Sequence, residues 1–357
     1  MKRSLLFAAL VACAAPLWAA DPSRWTLQLD VGSTRIEGTP LHWSSSQVQL
    51  LTREGRLWSF NPNEAKAYRK LSSTFQSYSP SDLRERLSRE LGKSFEVSNT
   101  GHFLVANPRG QRDVWSTRFE KLYNGFKYYF SVRGFNISEP EFPLVAIIWS
   151  NQDEFLRYAT SDGAKIGPGT LGYYSSKSNR ITLFDTSNGS DGDAWQQNAD
   201  TIIHEATHQT AFNTGVHRRF AETPRWVVEG LAMMFEARGV YDSRRYSTQK
   251  ERYNAGRLAQ FKQMAPERRS AALQALVSSD RMFDSDVQAA YACSWVLSFY
   301  LVENQPQKYS KYLKKLAERA PFEAYPAAAR TADFASTFEP NFTVLEKRLT
   351  KFINDLK

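Results

Sequence analysis

His204 and His208 stand four residues apart in HEATH (204–208), with Glu205 directly behind the first histidine. On a helix that spacing puts both imidazoles on one face, so both can reach one cation. Glu205 is rotated by one residue. Its carboxylate can approach a metal-bound water without displacing an imidazole, which suits a general base. The chemistry open to such a set is metal-assisted hydrolysis. In a histidine-poor chain of this length the pattern arises by chance with odds of roughly a few in a thousand, and a complete site needs a third ligand.

A metzincin would carry a glycine three and a histidine about six residues beyond His208, but Ala211 and Thr214 stand there. His217 is available, although it lies beside Arg218 and Arg219 in a stretch that reads as a loop. Glu229 is better placed. Thr223 and Pro224 read as an N-cap and first-turn signal for a helix running through PRWVVEGLAMMFEARG. Trp226, Ala232 and Met233 lie three or four residues from Glu229, so its carboxylate leaves an apolar face. A buried, unpaired carboxylate is costly; a metal offsets that cost, and so would an arginine partner. Gly230 would let this helix approach a neighbour closely.

HEATHQTAFNTG, then PRWVVEGLAMMFE with Glu229 placed 21 residues after His208, and AYACSWVLSFYL further on, resemble the gluzincin branch of zinc metallopeptidases. The resemblance is closest to the peptidase-MA-like proteins, a bacterial family, and covers roughly residues 80–305. It implies an α+β fold with a thermolysin-like (zincin) catalytic core, in which a mixed sheet with an edge strand lies beside the active-site helix. It further implies His204, His208 and Glu229 as ligands of Zn2+, Glu205 as the base, and a fourth zinc position open to water. Because no histidine follows His217, a tyrosine is expected to steady the developing oxyanion. Tyr291 is the first choice, with Tyr246 and Tyr253 behind it; Asp200, one turn before His204, could orient an imidazole. Two departures are visible. No GxMEN-like segment is present to grip a free amino terminus, and Val228 stands where thermolysin-type enzymes carry asparagine.

The elements that must hold these residues follow from periodicity. Residues 24–60 alternate as strands, with a hairpin turn at Arg53–Gly55, giving a small β-rich N-terminal module over 21–80 whose last part, near 61–80, reads as a polar connector. A helix over Asp82–Leu91 begins at Ser81 behind Pro80. SFEVS and HFLVAN read as strands, Arg112–Ser131 as an amphipathic helix with an aromatic core-facing stripe, and PLVAIIW as a buried strand. QDEFLRYA reads as a helix. GTLGYYSS and NRITLFD form a hairpin whose edge strand, within 170–184, could bind an extended peptide. The loop DTSNGSDGD lacks EF-hand spacing, and a capping-box-like Asp193 with Gln196 opens the HEATH helix. From there to the end the pattern is helical. The expected division is a core over 81–245 and a helical C-terminal lobe over 246–357.

Composition excludes other classes. The 357 residues are 42% hydrophobic and 23% charged, as in an ordinary globular protein. Lys2 and Arg3 precede an apolar run from Leu5 to Ala15 and a small-residue stretch, the form of a signal peptide over 1–20 with cleavage after Ala19. Export to a periplasmic or extracellular location follows as an expectation. LVAC at 10–13 also matches a lipoprotein box at Cys13, but the short stretch before it and the apolar AAPLW after it favour ordinary cleavage. Cys293 would then be the single cysteine, in an apolar helical run, so no intramolecular disulfide is expected. The net charge of +9 is spread along the chain without a nucleic-acid-type block. A solvated basic surface, or attraction to an anionic cell envelope, accounts for it. No segment has the apolar length of a spanning helix. The expected activity is an exported zinc-dependent peptidase, an endopeptidase acting on a peptide or protein substrate. The rival readings are a non-catalytic peptidase-like binding protein of the envelope and a zinc amidase acting on cell-wall amides.

Overall fold

A computed structural model describes residues 25–110, 115–167, 169–186 and 194–356. The signal peptide, Cys13, the helix cap at Asp193 and most of the DTSNGSDGD loop lie outside the described residues. The chain forms two compact units, Met1–Tyr78 and Ser79–Lys357.

In the first unit, β1 (Thr26–Val31), β2 (Thr34–Trp43), β3 (Val48–Thr52), β4 (Leu57–Phe60) and β5 (Ala65–Ser72) form an antiparallel sheet in the order β4-β3-β2-β1-β5. Leu27, Leu29, Ile36, Val48, Leu50 and Phe60 form its core. Gly55, at φ +88°, closes the β3–β4 turn with its N–H on the Thr52 carbonyl at 2.8 Å. β5 corrects the expectation of a polar connector near 61–80. Only Ala65 of AKAYRKLS is buried, so no apolar alternation marks the strand; its backbone ladder to β1 defines it. Lys66, Arg69 and Lys70 stand exposed along it, charges that discourage further strand pairing at an edge.

The second unit is mixed α and β. Its sheet has the order β6-β7-β8-β10-β9, from β6 (Phe95–Asn99), β7 (Phe103–Pro108), β8 (Leu144–Trp149), β9 (Gly172–Ser175) and β10 (Arg180–Phe184). β7, β8 and β10 run parallel, while β6 and β9 are antiparallel edges. The apolar run of β8 fits its central position, flanked by strands on both sides. Parallel neighbours need crossovers, supplied by α2 (Ser116–Ser131) and α3 (Gln152–Asp162). Phe119, Leu122, Tyr123, Phe126 and Phe130 of α2 are all buried, as a core-facing stripe requires. Before the sheet, α1 (Pro80–Leu91) is capped by Ser79, not Ser81: the Ser79 hydroxyl accepts the Asp82 N–H, and Pro80, which has no N–H to satisfy, takes the first turn.

After the sheet the described chain is helical: α4 (Ala194–Asn213), α5 (Arg225–Phe235), α6 (Arg238–Tyr241), α7 (Ala255–Gln263), α8 (Pro266–Ser278), α9 (Met282–Ser285), α10 (Val287–Asn304), α11 (Pro306–Ala317), α12 (Ala327–Thr337) and α13 (Phe342–Asp355). One core joins sheet, α4, α5 and the later helices, with Trp226, Trp295, Phe261 and Phe299 among its largest buried side chains. No helix among the described residues is long and apolar enough to cross a membrane. Cys293 is buried in α10, and burial pushes its thiol up to about 12.

Candidate metal centre

HEATH lies in the middle of α4, and Gln209 and Asn213 tie this helix to the sheet. The buried Gln209 donates its side-chain N–H groups to the carbonyls of Val145 (3.0 Å) and Asn179 (2.8 Å). Asn179, in a left-handed conformation that asparagine tolerates, exchanges paired amide bonds with Asn213. The Tyr174 hydroxyl donates to Asn179 Oδ1 at 2.9 Å. Ile202, Ile203, Ala206 and Ala211 face the core, which turns His204 and His208 together towards the opposite side. Their rings lie 4.6 Å apart at 87°.

Glu229 arrives on α5. That helix begins at Arg225 with Pro224 as its N-cap residue, and Thr223 makes no capping bond, contrary to expectation. Asp280 supplies the missing acceptor from a distant loop: its carboxylate takes the Arg225 backbone N–H at 3.0 Å and an Arg330 N–H at 2.9 Å. Gly230 lets α5 lie against α10. A Cβ there would stand 2.5 Å from the Ser294 carbonyl oxygen and 2.2 Å from the Ser298 hydroxyl. Glu229 Oε2 thereby sits 3.2 Å from His204 Nε2 and 3.7 Å from His208 Nε2.

The three donor atoms all lie within 4.8 Å of one another. Ligands on a tetrahedral zinc at about 2.0–2.1 Å are separated by about 3.3 Å, close to both measured distances. Two imidazoles and one carboxylate are also the donor types of catalytic zinc sites. The residues therefore fit zinc. Their electrostatics agree: burial opposes a charge on His204, yet Glu229 and Glu236 hold its pKa well above the ordinary value. Burial likewise opposes ionisation of Glu229, but His204 and His208 hold its carboxyl well below the usual range.

Glu205 points to the edge strand, where its Oε2 accepts the Tyr174 backbone N–H at 2.6 Å. Burial lifts its carboxyl above the usual range against the pull of His204 and His208. Tyr291, half-buried on α10, packs its ring against Phe283 and under the Arg257 guanidinium. Burial, then the charge of Glu229, raises its hydroxyl pKa, while the charge of Arg225 opposes that rise. Tyr246 lies instead against Arg238 and Arg245. Tyr253 shares a cavity with Asp200, Glu236 and Asn254.

One residue escaped the sequence reading. Glu236 Oε1 is 2.8 Å from His204 Nδ1, and its Oε2 accepts an N–H of Asn254 at 2.6 Å. The signal was its spacing, seven residues or two helical turns after Glu229. Asp200, considered for this orienting role, is exposed, and the carboxylate on Nδ1 is that of Glu236. His217 lies in the bend after α4, in keeping with a loop, but is buried. It is 2% exposed with neither ring nitrogen hydrogen-bonded, against Phe212, and burial lowers its pKa to about 3.

The profile of a family described as a protein of unknown function, DUF1570, matches residues 198–323, a span that contains every side chain of this centre. No curated protein matches the chain. Among solved structures, a mutant of the M1 zinc metallopeptidase from Deinococcus radiodurans is similar at 12% identity and a TM-score of 0.36, over 73% of this chain. This chain spans about half, 51%, of that protein's length.

Proposed function

We propose that this protein is a zinc-dependent peptidase with a gluzincin, thermolysin-like centre, in which His204, His208 and Glu229 hold Zn2+. The observation that carries the reading is the convergence of those three donors with the Glu205 carboxylate one residue away on the same helix. When bound, zinc supplies a Lewis acid that makes water nucleophilic near neutral pH. Glu205 would accept a proton from the attacking water and return it to the leaving amine as the C–N bond breaks. The Tyr291 hydroxyl donates to the carbonyl oxygen as negative charge develops there. β9, at the sheet edge beside the Glu205 carboxylate, is the natural place for an extended peptide to add as a strand. Such a mode leaves both ends of the chain free and suits an endopeptidase. The reading includes export, which rests on residues 1–20 alone.

The mechanism is tested with Glu205→Gln. The variant is expected to keep its zinc and to lose peptide cleavage by at least about a thousandfold, since base and proton shuttle disappear together. Cleavage at the wild-type rate in the zinc-loaded variant would refute the role of Glu205.

A further inference from the structure

Arg225 opens α5 four residues before Glu229, so both side chains leave the same face of the helix. Its Nε lies 3.6 Å from Glu229 Oε1, the oxygen turned away from the histidines, and its side chain is 42% exposed. The guanidinium stacks over the Phe283 ring at 4.4 Å, and its charge acts on the nearby Tyr291 hydroxyl. A second guanidinium, that of Arg257, lies over the Tyr291 ring at 5.1 Å from its centroid. An exposed arginine ordinarily swings in solvent. Here an aromatic face and the Glu229 carboxylate hold one in place beside the metal donors, within reach of solvent.

A guanidinium carries five N–H donors in a planar fork that matches a carboxylate. Among the described residues, the contact to Glu229 uses only part of that capacity. Asp280 takes the Arg225 backbone N–H and an Arg330 N–H. Resting on the peptidase reading, we infer that Arg225 is a specificity residue that receives a substrate carboxylate beside the scissile bond. Two sources share that chemistry: the C-terminal carboxylate of a peptide, and the side chain of an acidic residue next to the bond cut. Arg257, over the Tyr291 ring, adds favourable charge.

Binding to full-length, zinc-loaded Glu205→Gln separates this inference from the catalytic one, because it needs no turnover. Four fluorescent peptides of one sequence are compared by anisotropy: C-terminal acid against amide, and internal Glu against Gln. At least one carboxylate member is expected to bind about tenfold or more tightly than its neutral twin, and whichever pair shows the difference identifies the source. Adding Arg225→Gln should bring that ratio to near one, while Arg225→Lys, which keeps the charge without the fork, should leave an intermediate ratio. Folding of each variant is checked by its retained zinc. Equal binding within both pairs, no saturable binding at all, or a ratio that survives Arg225→Gln would overturn the inference. Failure of the wild-type enzyme to cut any of the four peptides would instead count against the peptidase reading.

Discussion

Glu236 does for His204 what a carboxylate commonly does for a zinc-bound histidine: it fixes the ring's tautomer and orientation through Nδ1. Replacing it in Glu236→Ala is expected to weaken zinc binding by about 10–100-fold, read by competition with a chromogenic chelator; undiminished affinity would show that the pair is incidental. His217 allows a pH prediction. Its folded pKa of about 3 lies below an unfolded value of about 6.5. Between those limits the unfolded chain binds the extra proton, so stability rises with pH across the window and falls as acid is added. Urea unfolding of His217→Phe should show a shallower loss of stability between about pH 6.5 and pH 3 than the wild type. At this scale the sequence was readable where donors are local: HEATH declares itself by helical spacing, and Glu229 by its apolar face. Glu236 shared that kind of signal and was missed. The Asp280 carboxylate on Arg225 could not be read, since 55 residues separate the pair and only the fold joins them.

α5 is where packing and chemistry meet. Its position against α10 depends on the missing side chain at Gly230. In Gly230→Ala the methyl group meets the Ser294 carbonyl, which is backbone and cannot rotate away, so α5 must withdraw and carry Glu229 with it. A loss of about 1–3 kcal/mol in stability is expected from such overpacking, together with weaker zinc binding. Thermal unfolding with and without zinc checks both, and adding Ser298→Ala should restore only part of the loss. The buried elements were legible for a physical reason: burial writes a continuous apolar run into β8 and α10 and a helical stripe into α2. β5 owes its form to backbone bonds with β1 and keeps charged side chains in solvent, so its sequence resembles a connector. Helix starts were misread where proline changed the count, at Ser79 before Pro80 and at Pro224 before Arg225.

The whole molecule concentrates its chemistry in the unit from Ser79 to Lys357, while the sheet of the first unit has a separate small core. The change from strand-rich to helix-rich sequence after residue 193 was visible from composition and period. What the sequence could not give was the depth of the centre, where the imidazoles and Glu229 are only 11–15% exposed at their side chains. That depth ties metal to folding, because a ligand that binds only the native state adds stability by mass action. The central claim is that His204, His208 and Glu229 form one zinc site. Its most direct test is the zinc content of the purified intact protein beside Glu229→Ala, measured by elemental analysis after dialysis against metal-free buffer. The account predicts close to one zinc per wild-type chain and a large deficit in the variant; a wild type at background, or a variant holding zinc equally well, would contradict it.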